Sequence, residues 1–240
     1  MSIKQNINLD KIEKVISFGC SWSDYMFGTD VVYGEYLAKE LNSEYLHHGI
    51  GCGSNDRIWR RFFEYGRNGF LDETTLITIQ WTELERKEMF SAFGDEIVGG
   101  QHQDDYNKTG YHEVCKHLDG YLYKFKHDAY SWVYNKPMRK YMYHHTNYNL
   151  SRKYSLDLWK NYNYSIKNYC EHNNIPLIFI SHRSYNDYHK ESENEYFHFI
   201  DVDNIYRHNP RIMEDGNDDF AHTSTKGHEL VAFEILNKLK

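Results

Sequence analysis

Short apolar runs alternate along this chain with amphipathic stretches of helical spacing. Val15-Ile16-Ser17-Phe18, inside residues 14–19, has polar flanks and reads as a strand buried on both faces. Residues 34–42 put Tyr36, Leu37, Ala38 and Leu41 on one helical stripe. Glu44 to Ile50 predicts a second strand, ending in the turn Gly49-Ile50-Gly51-Cys52-Gly53. Ser54 or Asn55 then caps a helix to about Tyr65, which carries Ile58, Trp59, Phe62 and Phe63 inward. Leu76 to Thr82, Pro176 to Ser181 and Phe197 to Asp201 predict three more strands. A long helix is expected around residues 152–174. A closing helix runs from about Ser224 to Leu239, with Leu230, Val231, Phe233, Ile235 and Leu236 apolar.

Strands alternating with helices predict an α/β fold, a mostly parallel sheet covered on both faces. Residues 88–150 break the alternation. They are rich in Tyr, His, Asp and Lys and poor in aliphatics, so they cannot form a core alone. The expectation is one domain over residues 1–240, with 88–150 an aromatic-rich insertion or lid folding over the carboxyl end of the sheet.

Composition narrows the function classes. A chain of 240 residues supports one ample core or two small domains. Aromatic content is 17%, with 22 Tyr, the residue of wet, hydrogen-bonding clefts. A formal charge of -7 disfavours a duplex-wrapping protein, so no nucleic-acid partner is expected. Cys20, Cys52, Cys115 and Cys170 are scattered without a C-x-x-C pair, which argues against a zinc ribbon and for thiols in a reducing compartment. The first residues lack an apolar signal-peptide core and no run approaches membrane-spanning length, so a cytoplasmic location without membrane attachment is expected.

No cofactor or metal is expected either. A G-x-G-x-x-G fingerprint starting at Gly49 fails at Ser54. The adjacent pairs His47-His48 and His144-His145 point apart on a strand and make poor chelates, and no H-E-x-x-H occurs.

The candidate chemistry lies at the two ends. In open α/β sheets, ligands bind beyond the carboxyl ends of the strands. The loops after Phe18, after Ile50 and after Ile79 all leave that edge. Ser21, just after the first strand and two residues past Gly19, can expose its hydroxyl there, with Ser23 as rival; either serine can instead cap the next element. Near the other end, Asp219 precedes His222 by three residues, so within a helical turn its carboxylate reaches the imidazole and fixes its tautomer. Asp215 and Asp218 compete as carboxylates, and His228 competes as an imidazole, although inside the last helix it packs or faces solvent. Ser224 can begin that helix. The glycine turn offers backbone N–H groups to an anion, a phosphate or a developing oxyanion.

These segments resemble the SGNH (GDSL-like) hydrolases. Phe18-Gly19-Cys20-Ser21-Trp22-Ser23 stands where that family has G-D-S-x-S, with Cys20 for the usual Asp. Gly49 to Asn55 looks like the family's second block, and Asp219-Phe220-Ala221-His222, with Ser224 and Gly227 following, is similar to its terminal D-x-x-H block. The resemblance implies a three-layer α/β/α fold, flavodoxin-like, with a mostly parallel five-stranded sheet. It implies Ser21 as nucleophile, His222 as base and Asp219 as its partner. Oxyanion donors would be the Ser21 N–H and that of Gly51 or Gly53, or of Cys52 under another offset.

The third block, G-x-N-D in the family, reads Gln80-Trp81-Thr82-Glu83 here, which puts Thr82 at the oxyanion asparagine. Thr82, Gln80, Asn55 or another group compensates, or the enzyme is slow. The implied function is a serine esterase acting on a small-molecule or carbohydrate ester. Tyr106, Tyr111, Tyr121, Tyr123, Trp132 and Tyr134 suit a sugar ring, so an O-acetyl group on a carbohydrate is the first substrate expected; the same aromatics would also serve as a satellite core. The competing readings are a catalytically weak or inactive SGNH-fold protein serving as a binding or structural module, and a nucleotide-binding flavodoxin-like protein using the 49–53 turn.

Overall fold

The computed structural model describes residues 5–20, 23, 25, 30–49, 54–82, 87–90, 111–114, 152–181, 198–212 and 218–239. Its elements are β1 (Lys14–Phe18), α1 (Tyr33–Glu40), β2 (Glu44–His48), α2 (Asn55–Arg67), β3 (Thr75–Gln80), β4 (Lys87–Phe90), β5 (Tyr111–Val114), α3 (Arg152–His172), β6 (Leu177–Ser181), β7 (His198–Asp201), α4 (Asp203–His208), β8 (Pro210–Ile212), β9 (Asp218–Thr223) and α5 (Thr225–Leu239).

Five strands form one sheet in the order β2-β1-β3-β6-β7, every neighbouring pair parallel. The period-2 alternation of each strand feeds two separate cores. Val15, Leu76, Ile178 and Ile180 face one way, against Tyr33 and Leu37 of α1 and Val231 and Ile235 of α5. Ile16, Phe18, Ile77, Ile79, Leu177 and Phe179 face the other way, against Ile58 and Phe62 of α2 and Trp159 and Ile166 of α3. The result is a three-layer α/β/α arrangement, and a strand covered on both sides has to be apolar at nearly every position.

The exceptions to that apolarity matter. Ser17, Thr78 and Gln80 are buried on the α1/α5 side. The Thr78 hydroxyl donates to Ser17 Oγ (2.9 Å) and lies 3.4 Å from Tyr33 Oη. Gln80 Nε2 donates to the Tyr206 hydroxyl (3.2 Å). Polar groups thus line one face of the sheet toward its carboxyl edge.

Because β1, β2 and β3 run parallel, the loops that leave them emerge along one edge, as the sequence pattern predicts. Both β2 and β3 stop two residues earlier than the apolar runs suggest, at His48 and Gln80. After β3, β4 and β5 pair antiparallel, from Lys87↔Val114 to Phe90↔Tyr111, and β4 lies beside α2. The remainder of 88–150, with Tyr106, Tyr121, Tyr123, Trp132 and Tyr134, lies outside the described residues. Among the described residues no helix is long and apolar enough to cross a membrane.

Candidate active site

The loop after β1 is braced by Ser23. Its backbone N–H and its hydroxyl both donate to the Cys20 carbonyl, each at 3.0 Å, and the side chain is fully buried. A Cβ on Gly19 would collide with the Ser23 hydroxyl. One on Gly49 would sit 2.9 Å from the Ser23 carbonyl oxygen and 2.9 Å from its Oγ. The two glycines therefore let the turns after β1 and β2 close on each other around Ser23. A hydroxyl engaged inside that junction is a brace, which separates Ser23 from the role proposed for its rival. Ser21 itself lies outside the described residues, as do Gly51, Cys52 and Gly53.

At the other end, the expected helical turn over residues 219–222 is not what forms. Asp218–Thr223 is strand β9, antiparallel to β8. One step in β8, from Pro210 to Arg211, is matched in β9 by the step from Thr223 to Asp219, so Phe220, Ala221 and His222 form an irregularity in the ladder. The cause lies in the contacts of the next residues. The Thr223 hydroxyl and the Ser224 N–H both donate to the Asn209 carbonyl, at 2.8 and 2.9 Å, and hold the chain extended. Any contact between Asp219 and His222 thus runs through this irregularity rather than along a helix; the Asp219 side chain lies outside what is described. As expected, Ser224 starts the last helix, its Oγ accepting from the Gly227 N–H at 3.2 Å.

His222 is half-buried, and His228 stands on the first turn of α5. Its side chain is buried, its ring centroid 6.1 Å from that of Tyr33 and 6.2 Å from that of Tyr206. Burial first, and then the imidazoles of His222 and His47, push its pKa down to about 3. It is a neutral ring at any ordinary pH, and of the two readings for His228 the structure selects packing. Tyr33 continues the cluster. Burial raises its phenol to about 12, against the pull of the Thr78, Ser17 and Ser23 hydroxyls around it, with Cys20 also close. The rings of Tyr33 and Tyr206 thus pack on His228, with Cys20 and the Ser23 hydroxyl near Tyr33 and the imidazoles of His222 and His47 close enough to His228 to act on its charge. Tyr33 and Tyr206 belong to no motif, so nothing in the sequence marks them for this site.

The third loop leaves β3 through Trp81 and Thr82, both buried. The Thr82 N–H donates to Asn55 Oδ1 at 2.9 Å, and Asn55 Nδ2 donates to the Thr82 carbonyl at 3.2 Å. Asn55 is buried on the first turn of α2, while Ser54 caps that helix by accepting from the Arg57 N–H at 3.2 Å. Arg57 Nη1 in turn donates to the His48 carbonyl at 2.9 Å, tying α2 to the end of β2. Thr82 Oγ1 and Gln80 Oε1 are buried with no hydrogen-bond partner among the described residues.

As the alternation of a strand requires, His47 packs against Tyr25 and Tyr45, whereas His48 stacks on Phe18 and meets Tyr65. A groove of about 840 Å³ between α2 and α3, lined by Phe63, Tyr164 and Tyr169 among others, shares no residue with this edge.

Comparison with known proteins places this architecture. A lipase from goat rumen metagenome superposes with a TM-score of 0.50 at 12% identity, covering 95% of this chain and 100% of that one. A GDSL-like lipase from Bacteroides thetaiotaomicron gives 0.47 at 11% identity, over 97% and 90% of the two chains. A catalytic mutant of an acetylxylan esterase from Geobacillus stearothermophilus gives 0.47 at 12% identity, over 100% and 96%. A search of curated protein sequences finds no match. The model of a family of unknown function, DUF6071, matches residues 25–169. A five-stranded parallel sheet between two helical layers is the SGNH hydrolase fold, and the chain that carries it here belongs to DUF6071, a family of unknown function.

Proposed function

We propose that this chain is a serine esterase in which Ser21 attacks the ester carbonyl, His222 takes the Ser21 proton and Asp219 stabilises the imidazolium that forms. The tetrahedral intermediate collapses with expulsion of the alcohol, which receives its proton from His222. Water, deprotonated by the same ring, then releases the acid from Ser21. The oxyanion is held by the Ser21 N–H, by a glycine N–H from Gly51 or Gly53, and by Thr82.

The observation that carries this reading is the cluster around Tyr33 and His228. Cys20 and Ser23, which flank Ser21 in the chain, lie near Tyr33, and His222 lies within electrostatic reach of the ring packed on Tyr33, which supports a meeting of Ser21 and His222 at this edge. The neutrality of His228 suits the chemistry as well. A charged ring there would repel the His222 imidazolium, and burial removes that penalty. The Tyr- and Trp-rich segment 88–150 favours a carbohydrate ester, an O-acetyl group in particular.

The test is labelling by a fluorophosphonate probe together with hydrolysis of p-nitrophenyl acetate. Wild-type protein is expected to label at Ser21 and to turn over. Ser21→Ala and His222→Ala should each lose the turnover by a factor on the order of a thousand or more while melting normally. Full activity in Ser21→Ala removes the assignment. Thr82 in place of the family's asparagine favours a second reading, a binding module that has kept the fold, and absence of labelling at high probe concentration selects it.

A further inference from the structure

We infer that Asn55 is a positioning residue for the oxyanion site: its carboxamide clamps the main chain of Thr82 and so fixes where the Thr82 hydroxyl points. The inference rests on the esterase reading above and adds to it a residue that does not touch substrate.

The geometry is specific to asparagine. One side chain engages both the N–H (2.9 Å) and the C=O (3.2 Å) of a single residue. An aspartate lacks the donor and a serine has only one polar atom. Helix capping does not explain Asn55, since Ser54 already fills that role. Nor does packing, since an amide buried to 2% exposure stays only if its polar atoms are satisfied. What the clamp leaves over is informative. Thr82 Oγ1 remains buried with no hydrogen-bond partner among the described residues, a donor held ready for a guest acceptor. Asn55 also follows directly on the turn 49–53, which carries the proposed glycine donors. The same residue therefore ties the first turn of α2 to the loop after β3. Both amide ends being engaged, Asn55 is itself a poor substitute for the missing asparagine of the third block, and the Thr82 hydroxyl is the better one.

The experiment is a double-mutant cycle on the full chain with p-nitrophenyl acetate, using Asn55→Ala, Thr82→Val and the pair. Thr82→Val keeps the main-chain clamp and removes the hydroxyl. Each single variant is expected to lower kcat on the order of tenfold to a hundredfold, with KM within about twofold. The double variant should be no worse than Thr82→Val alone, since Asn55 acts through that hydroxyl. Multiplying effects, or a wild-type kcat in Asn55→Ala, overturns the inference. Should Asn55→Ala not fold, Asn55→Asp preserves the acceptor but sets a carboxylate oxygen against the Thr82 carbonyl, and a wild-type kcat there overturns it equally. Wild-type protein that neither turns over nor labels refutes the esterase reading and this inference together, whereas an active wild type with an unaffected Asn55 variant refutes the inference alone.

Discussion

His228 has to become charged if the protein is acidified, and it sits where a charge is costly. Tyr33 and Tyr206 pack against the ring and the imidazoles of His222 and His47 are its titratable neighbours, so among the described residues no facing group offers it a counter-charge. An imidazole free in the unfolded chain titrates near 6.5, and in the fold near 3. Between those values the unfolded state binds the extra proton, so stability falls as pH drops through the window, by up to about 1.4 kcal/mol per pH unit. Urea midpoints measured from pH 7 down to pH 4 should decline, and the decline should flatten in His228→Phe; a flat wild-type profile would contradict the burial of a neutral ring. The sequence shows His228 six residues beyond His222 on a helix. Which neighbours surround it depends on Tyr33 and Tyr206, residues distant in the chain, so its state was not legible locally.

Among the elements, the junction of β9 and α5 tolerates little added bulk. A Cβ on Gly227 would collide with Thr223 Oγ1 and stand 2.9 Å from its Cβ and 3.1 Å from its Cγ2. Thr223 cannot yield without breaking its hydrogen bond to the Asn209 carbonyl (2.8 Å). Gly227→Ala is therefore expected to cost about 1–3 kcal/mol, read as a lowered melting temperature. It should also lower kcat, since the displaced Thr223 adjoins His222. An unchanged melting temperature would show that the junction gives way freely. The helices α1, α2, α3 and α5 were legible because their apolar residues recur at helical spacing. The strand character of 218–223 was not, because the pairing with Pro210–Ile212 and Asn209 that creates it is a tertiary event. The motif Asp219-x-x-His222 could be read from sequence, while the backbone form that carries it could not.

At the scale of the whole molecule, one sheet separates two cores, and each strand contributes to both. Leu37→Ala on the α1/α5 side and Phe62→Ala on the α2/α3 side should each cost about 2–5 kcal/mol. Separated by the sheet and sharing no neighbour, their costs should add within about half a kcal/mol. With Trp22 and Trp132 replaced by Phe, fluorescence reports through Trp59, Trp81 and Trp159 on the α2/α3 core, and far-ultraviolet dichroism reports on all layers. Coincident unfolding curves from the two probes are expected if the layers fold as a unit. Two separated transitions would show that the cores are independent.

What the sequence by itself determined is the inventory and its order. Strands sealed between two helical layers must be continuous apolar runs, and surface helices must carry one apolar stripe, so both announce themselves locally. Parallel strands also place their exits on one edge, which is why the loops after β1, β2 and β3 were recognisable as the place for chemistry. Only the tertiary structure decided the strand order, the bracing role of Ser23 between Gly19 and Gly49, the neutral state of His228 and the grip of Asn55 on Thr82. Each of these rests on contacts between residues far apart in the chain. A hydrogen bond such as that from Asn55 to Thr82, 27 residues away, leaves no periodic trace in either segment that makes it.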